Sequence, residues 1–348
     1  MYKIKNSKKI GILGAGISGL STGIALAKNG FDVEIYEKRS RVGSFFKKDV
    51  HSLRNYSYDN DVLEQYKELG INLSIFCPVF KEIRYTPSLK KIEIYSNKKP
   101  LFYNFLRGYK DKNSLDNALL ESAKDSGVKI KFNQDIKDND KNIDVIATGA
   151  SSIDYVGYGA HYKIKSDKKI DSIHYFLDDH YAPKGYIYIL PFLNEFSLVL
   201  ATTKIKDKDQ LKKNFNEFRK NNIVKEILKE TEFVNEIFGF ASFKTNKNIK
   251  GKKMFIGEAA SFLDASTGFG THYAIISGCL AAKSVIEEKN YYKLCEDYFG
   301  EELEKKRLKR KKIEKMNLDQ QEKNLCDLIN KHGKAISIDV YKKIKESN

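Results

Sequence analysis

The residues with the clearest capacity for chemistry stand near the N-terminus, in the run Gly14-Ala15-Gly16-Ile17-Ser18-Gly19. In a strand–turn–helix setting the first glycine of such a G-x-G-x-x-G permits a tight turn. The second lets a pyrophosphate approach the backbone, and the third lets the helix pack on the strand. The helix opening there offers N–H donors and the positive end of its dipole. Gly23 follows one turn later, and Glu37 stands where a carboxylate accepts hydrogen bonds from a ribose diol. A negative charge at that place repels a 2′-phosphate, so the pattern admits NAD or FAD and disfavours NADP.

These residues need particular elements to position them. KIGILG (9–14) reads as a buried parallel strand, ISGLSTGIALAKN (17–29) as a helix with Gly30 past its end, and FDVEIYEK (31–38) as a second strand. Together they have the spacing of a βαβ unit. From Ser40 to Leu69 the chain is polar and reads as a connector ending in a helix over 61–70. Segments 79–85, 91–96 and 101–106 read as antiparallel strands, 113–127 as a helix capped by Asn113 or Ser114, and 128–132 and 143–149 as strands rejoining the first lobe. A second excursion holds strands near 159–165, 172–177, 185–190 and 196–203, then a Lys-rich amphipathic helical region over 207–230. KKMFIGEAA (252–260) returns as a strand, followed by a helix over 271–287 and charged helices beyond Asn290.

The opening stretch GILGAGISGLSTGIALAKNGFDVEIYEKRSRVG resembles the start of the flavoprotein superfamily that includes the aromatic hydroxylases and geranylgeranyl reductases. Arg107 with the helix after it, the IATGA turn (146–150) and GKKMFIGEAASFLDASTGFGTHYAIISGCLAAKSV resemble three further blocks of that superfamily. The resemblance implies FAD, held by the fingerprint residues and Glu37 with Lys38, Gly43, Arg107, Thr148 and Gly149. In the second flavin motif it implies that Glu258, after Gly257, bonds the ribityl chain. Backbone amides at Gly268, Phe269 and Gly270 would reach the pyrimidine edge, with the helix from Thr271 aiming its positive end at the ring. The sequence departs from the motif in having Glu258 where Asp is usual and Ser or Ala where a loop Pro is common.

The implied fold is α/β: a Rossmann-like FAD-binding domain (1–75, 107–158 and 250–290), an interleaved antiparallel-sheet substrate domain (76–106 and 159–249) and a C-terminal helical region (291–348). Ala182-Pro183-Lys184-Gly185-Tyr186-Ile187-Tyr188-Ile189-Leu190-Pro191 resembles the P-x-G-Y-x-W-x-F-P element of the reductases, with Tyr188 and Leu190 at the Trp and Phe positions. It implies Tyr186, Tyr188 and Pro191 as substrate residues, and reduction of isoprenoid carbon–carbon double bonds by hydride from reduced flavin. The reductases usually carry a larger C-terminal region than 290–348. The chain has no tryptophan, which excludes the tryptophan-containing signature of the flavin halogenases.

A hydroxylase of a small apolar substrate shares the same fold and FAD site. A prenyl-binding escort without flavin is the reading from another class, against which the intact fingerprint and Glu37 speak. A simple NAD-linked dehydrogenase has no use for the GEAA and TGFG elements. The sequence names no catalytic proton donor: Tyr186, Tyr188 and His161 lie in suitable segments but read as structural, and His272 reads as a satisfied loop histidine.

The chain has 348 residues and 62 − 46 = +16 formal charges. The lysines are scattered, which reads as solvated surface rather than a nucleic-acid footprint, and ELEKKRLKRKKIEKM (302–316) reads as a solvated helix. If the substrate is a lipid, the same charge would dock peripherally on an anionic membrane. Cys77, Cys279, Cys295 and Cys326 form no C-x-x-C, so neither a zinc site nor a dithiol is implied. The first apolar run is too short for a signal h-region, and the expected place is the cytoplasm. The expected partners are a small-molecule or lipid substrate and an external reductant, either NAD(P)H or reduced ferredoxin.

Overall fold

A computed structural model describes residues 9–244 and 253–346. The start of the GKKMFIGEAA segment, Gly251 and Lys252, and the expected boundary at 250 lie outside the described residues. A five-stranded parallel sheet runs in the order β15 (Met254–Phe255), β9 (Val145–Ile146), β1 (Lys9–Leu13), β2 (Asp32–Tyr36), β8 (Lys129–Lys131). Its strands are short, and the central β1 and β9 are apolar, as expected where a sheet is covered on both faces. On it pack α1 (Ile17–Lys28), α3 (Leu115–Asp125) and α6 (Thr271–Ile286), in one core with Ile10, Ile12, Leu20, Leu119 and Ile276 all essentially inaccessible. Gly278 lets α6 lie against α1, since a Cβ there would sit 2.5 Å from the Ser18 carbonyl oxygen.

The second sheet has eight strands: β14 (Thr231–Ala241), β10 (Tyr155–Ile164), β13 (Glu195–Thr202), β12 (Tyr186–Phe192), β11 (Ile173–Phe176), β5 (Lys81–Tyr85), β6 (Lys91–Tyr95) and β16 (Ala335–Ser337). It is mixed, because β11–β5 and β6–β16 are parallel and its other pairs antiparallel. The helices α4 (Lys208–Phe218) and α5 (Asn222–Leu228) cover it with Leu211, Phe215, Phe218 and Val224. Between the two large sheets stands a three-stranded antiparallel sheet, β3 (Asp49–Arg54), β7 (Phe102–Arg107) and β4 (Cys77–Val79). The helix α2 (Val62–Glu68) follows β3, and Gly70 takes φ 82° two residues past its end. Beyond α6 come α7 (Tyr291–Cys295), one π turn over 296–300, α8 (Glu301–Lys315), α9 (Leu318–His332) and α10 (Ile338–Glu346). Among the described residues no helix is long and apolar enough to cross a membrane.

Four sequence expectations change. The polar connector at 40–69 contains β3, whose Val50 and Leu53 are buried while Asp49, His51 and Arg54 disguise the strand. The expected strand 79–85 divides at Phe80, giving β4 and β5 in different sheets. Residues 231–241, left without an element, form β14, paired along β10 from Tyr155 to Ile164. The charged helix at 302–316 is not solvated all round: Leu303 and Arg310 on α8 are only 3% and 4% exposed.

Candidate cofactor and substrate site

The fingerprint turn joins β1 to α1. Gly14 takes φ 105°, and a Cβ there would lie 2.4 Å from the Ala147 carbonyl oxygen, so the turn is pressed against the strand end that carries Thr148 and Gly149. A Cβ on Gly19 would lie 2.0 Å from the Gly14 oxygen, which brings helix and turn into contact. At Gly16 a Cβ would meet no protein atom within 4 Å; the space it leaves faces outward. Glu37, just past β2, accepts from the Ala15 amide at 2.9 Å and from the Arg39 amide at 2.9 Å. The expected nucleotide residues Gly14 to Gly19, Glu37, Thr148 and Gly149 therefore converge, and Lys38 is exposed beside them.

Both helices that meet here begin without a side-chain cap: α1 at Gly16 and α6 at Gly270. Neither has an acidic residue in its first turn. By contrast α2, α3, α4, α5, α7 and α9 start on Asp61, Ser114, Asp207, Asn221, Asn290 and Asn317, each accepting from its own first turn. The open helix starts leave N–H donors and positive dipole ends available to anionic or carbonyl acceptors.

Gly257 takes φ 56° and touches α1, since a Cβ there would lie 2.9 Å from the Ser18 hydroxyl oxygen. The next residue, Glu258, accepts from the Ser242 amide at 2.5 Å. Burial pushes its carboxyl up to about 7, against the pull of that N–H and of Arg107. Arg107 itself is a bidentate partner of Asp116, at 2.8 and 3.0 Å, and lies 5.3 Å from the Phe46 ring centroid. Burial alone would raise the Asp116 carboxyl, but Arg107 and the Gly108 amide hold it below the ordinary range. Gly43 sits on this cluster, where a Cβ would lie 2.9 Å from Asp116 Cβ.

Two cavities flank the Gly268-Phe269-Gly270 loop. The smaller, about 130 Å³, has Phe46, His51, Tyr188, Val199 and Phe240 in its wall with Gly268 to Thr271. The larger, about 430 Å³, lies between Tyr56, Tyr175 and one face of α8. Tyr186, Thr267 and Phe269 belong to both walls. The Tyr186 hydroxyl donates to the Thr267 carbonyl, fixing β12 to the loop. Of the expected substrate residues, Tyr186 and Tyr188 face the cavities, their rings 5.7 Å apart. Pro191 is in neither wall; it stands farther along β12, where its carbonyl accepts from Asn104 at 2.7 Å.

His161 is fully buried and lies between the Ser197 hydroxyl at 3.0 Å and Glu195 at 3.1 Å. Ser197 also accepts from the Val50 amide, so this network joins β3 to the large sheet. His272, in the first turn of α6, bonds the Tyr66 hydroxyl at 3.0 Å, and burial drives its pKa down to about 3. The sequence reading missed Arg54 and Asp264, a 2.9 Å ion pair whose arginine lines the larger cavity. Burial works to raise Asp264, but Arg54 and Lys306 hold it well below the usual carboxylate range. Neither residue lies in a recognisable spacing pattern; they meet only through the approach of β3 to the loop after Ala260.

The fold is that of the FAD-dependent flavoproteins, with a Rossmann-like nucleotide-binding region. Residues 12–62 match the NAD(P)-binding Rossmann-like domain family. The chain is 33% identical over 79 residues to the NAD-dependent dihydropyrimidine dehydrogenase subunit PreT of Salmonella typhimurium, a match covering 22% of this chain and 18% of that protein's length. In three dimensions it is similar to a geranylgeranyl bacteriochlorophyll reductase-like protein from Thermoplasma acidophilum, with TM-score 0.74 and 21% identity over 90% of this chain and 89% of the other. It is also similar to the myxobacterial chondrochloren halogenase CndH, with TM-score 0.59 and 14% identity over 94% and 90%. At these identities the likeness is one of fold.

Proposed function

We propose that the protein is an FAD-dependent oxidoreductase that reduces carbon–carbon double bonds of isoprenoid lipids. The observation that carries the cofactor assignment is that α1 and α6, packed on each other, both start without a side-chain cap, at Gly16 and Gly270, and that the missing side chain of Gly16 leaves outward space. That arrangement suits a pyrophosphate at α1 and the carbonyl edge of a flavin ring at α6. Glu37 has carboxylate lone pairs left for the adenosine ribose, and Arg107 with Gly43, Thr148 and Gly149 would border the nucleotide. Glu258, neutral or charged near pH 7, would meet the ribityl chain.

When bound and reduced, FAD supplies a hydride. The protein's share is to hold an alkene against the aromatic wall of Tyr186, Tyr188 and Phe269 and to keep water from it. The likeness to the reductase-like protein and the β12 sequence support the alkene reading. The test is visible absorbance of the purified protein, with the released cofactor identified chromatographically, before and after Glu37→Arg. A yellow protein releasing FAD and bleached by the substitution is expected, followed by NAD(P)H- or ferredoxin-driven consumption of a prenylated lipid. A colourless protein that refuses added FAD overturns the cofactor assignment. A yellow protein inert toward prenylated lipids under both reductants overturns the substrate assignment.

A further inference from the structure

The larger cavity has a charge pattern that an isoprenoid chain does not call for. Its wall carries Arg54, Arg84, Lys184, Lys306, Lys309 and Arg310 against a single carboxylate, Glu82. Two of the acids that serve these cations are shared. Asp264 is shared by Arg54, at 2.9 Å, and Lys306, at 3.7 Å. Glu314 is shared by Arg310, at 3.1 Å, and Lys204, at 2.5 Å. Lys184 has Asp179 at 2.8 Å, and Arg84 pairs with Glu82. Lys306 also reaches Glu302, at 3.6 Å along the same helix.

Buried polar atoms without a partner among the described residues also cluster in this wall, the donors Arg54 Nε and Arg310 Nε and the acceptors Glu82 Oε2 and Gln321 Oε1. The same wall also carries apolar and aromatic side chains, Tyr56, Tyr175, Phe269 and Met316. Arg54 is already stacked 5.1 Å from the Phe269 ring and 5.7 Å from that of Tyr56, which joins the charged groups of the wall to the aromatic ones. A volume of about 430 Å³ falls within the range of small-molecule sites.

We propose that this cavity binds an organic acid: its carboxylate or phosphate monoester head among Arg54, Lys306, Lys309 and Arg310, and a flat apolar body on the aromatic wall. The two cavities share Tyr186, Thr267 and Phe269, so the body of such a ligand lies beside the smaller one. The site needs no flavin. It is formed by β3, β5, β11, the 266–269 loop and α8.

The test is equilibrium binding of three fluorescent probes to the full-length protein as purified, at low ionic strength: 2-naphthoate, 2-naphthyl phosphate and neutral 2-naphthol. At least one anion is expected to bind at least about tenfold more tightly than the naphthol, with an affinity that falls as salt is added. The tighter anion identifies the head group. Lys306→Met combined with Lys309→Met weakens the anion about tenfold and leaves naphthol affinity and FAD content unchanged. Lys311→Met with Lys312→Met, at exposed positions on the same helix, leaves anion binding unchanged and so separates the cavity from the general positive field. Equal affinity for the three probes, no binding of any, or equal loss in the two double variants overturns the proposal. None of the overturning outcomes depends on flavin content, so failure of the cofactor assignment is seen separately.

Discussion

Glu37 Oε2 accepts the Ala15 amide at 2.9 Å, and this bond ties the end of β2 to the turn between β1 and α1. The carboxylate thus has a structural duty before any ribose arrives. Glu37→Ala removes the acceptor of both the Ala15 and the Arg39 amides and should lower the stability of the flavin-stripped protein by about 1–2 kcal/mol, at about 1 kcal/mol for each bond. Glu37→Gln keeps an acceptor for only one of the two amides and should melt between the alanine variant and the parent while holding FAD less tightly. Thermal melts of the stripped proteins, set beside flavin retention, check both.

Glu258 gives a pH signature. Its carboxyl is raised from 4.5 to about 7, so the folded state binds this proton more tightly than the unfolded chain does. The corresponding stability is fully present below pH 4.5 and is lost as pH rises through 7. In stripped protein, Glu258→Gln should match the parent near pH 4.5 and exceed it at pH 8 by on the order of 2 kcal/mol. Denaturant midpoints at the two pH values decide it; equal midpoints at pH 8 would remove the assignment.

Asp264 is 1% exposed and serves both Arg54 and Lys306. Asp264→Ala leaves Arg54 charged beside the cavity with its chief counter-ion gone, an error that costs about 3 kcal/mol or more in buried pairs. Asp264→Asn should cost less, because it still offers an oxygen to the guanidinium. Urea titrations of the two variants should rank in that order.

Gly278 is where α6 crosses α1. A Cβ would meet Ser18 O at 2.5 Å and Thr22 Oγ1 at 3.0 Å, and Thr22 also donates to the Gly278 carbonyl at 3.1 Å. Gly278→Ala must push the helices apart, and overpacking of this kind costs about 1–3 kcal/mol. Because the same two helices border the proposed nucleotide site, flavin retention should fall together with the melting temperature.

The N-terminal βαβ unit could be read from local sequence because its constraints are local: glycines at a turn, an apolar period along α1, an acid at the strand end. The α3 cap at Ser114 and the glycines after α2 and α3 were legible for the same reason. β3 was not, because both its faces are buried, Val50 in one core and Leu53 in another, with Asp49, His51 and Arg54 breaking the apolar pattern; Asp49 and His51 pair with each other, and the partner of Arg54, Asp264, lies far along the chain. β14 was hidden by its edge position, which leaves Phe233, Val234, Phe238 and Phe240 exposed and blurs the inside–outside pattern. Nor does the composition of α8 disclose that a few of its many basic residues face a cavity; that depends on the rotation of the helix against the 266–269 loop.

The bond from Thr22 to Gly278 spans 256 residues. A ribosome adding about 5–20 residues each second makes Thr22 roughly 10–50 s before its partner exists. During that interval α1 has its strand but not the helix that covers it, and the strand at Met254–Phe255 that completes the parallel sheet has not yet been made. The nucleotide-binding half therefore finishes late although its signature is translated long before its last strand and helix. An emerging chain arrested between 150 and 250 should display an apolar α1 surface to chaperones and proteases, and should lose that display once residue 286 has cleared the exit tunnel.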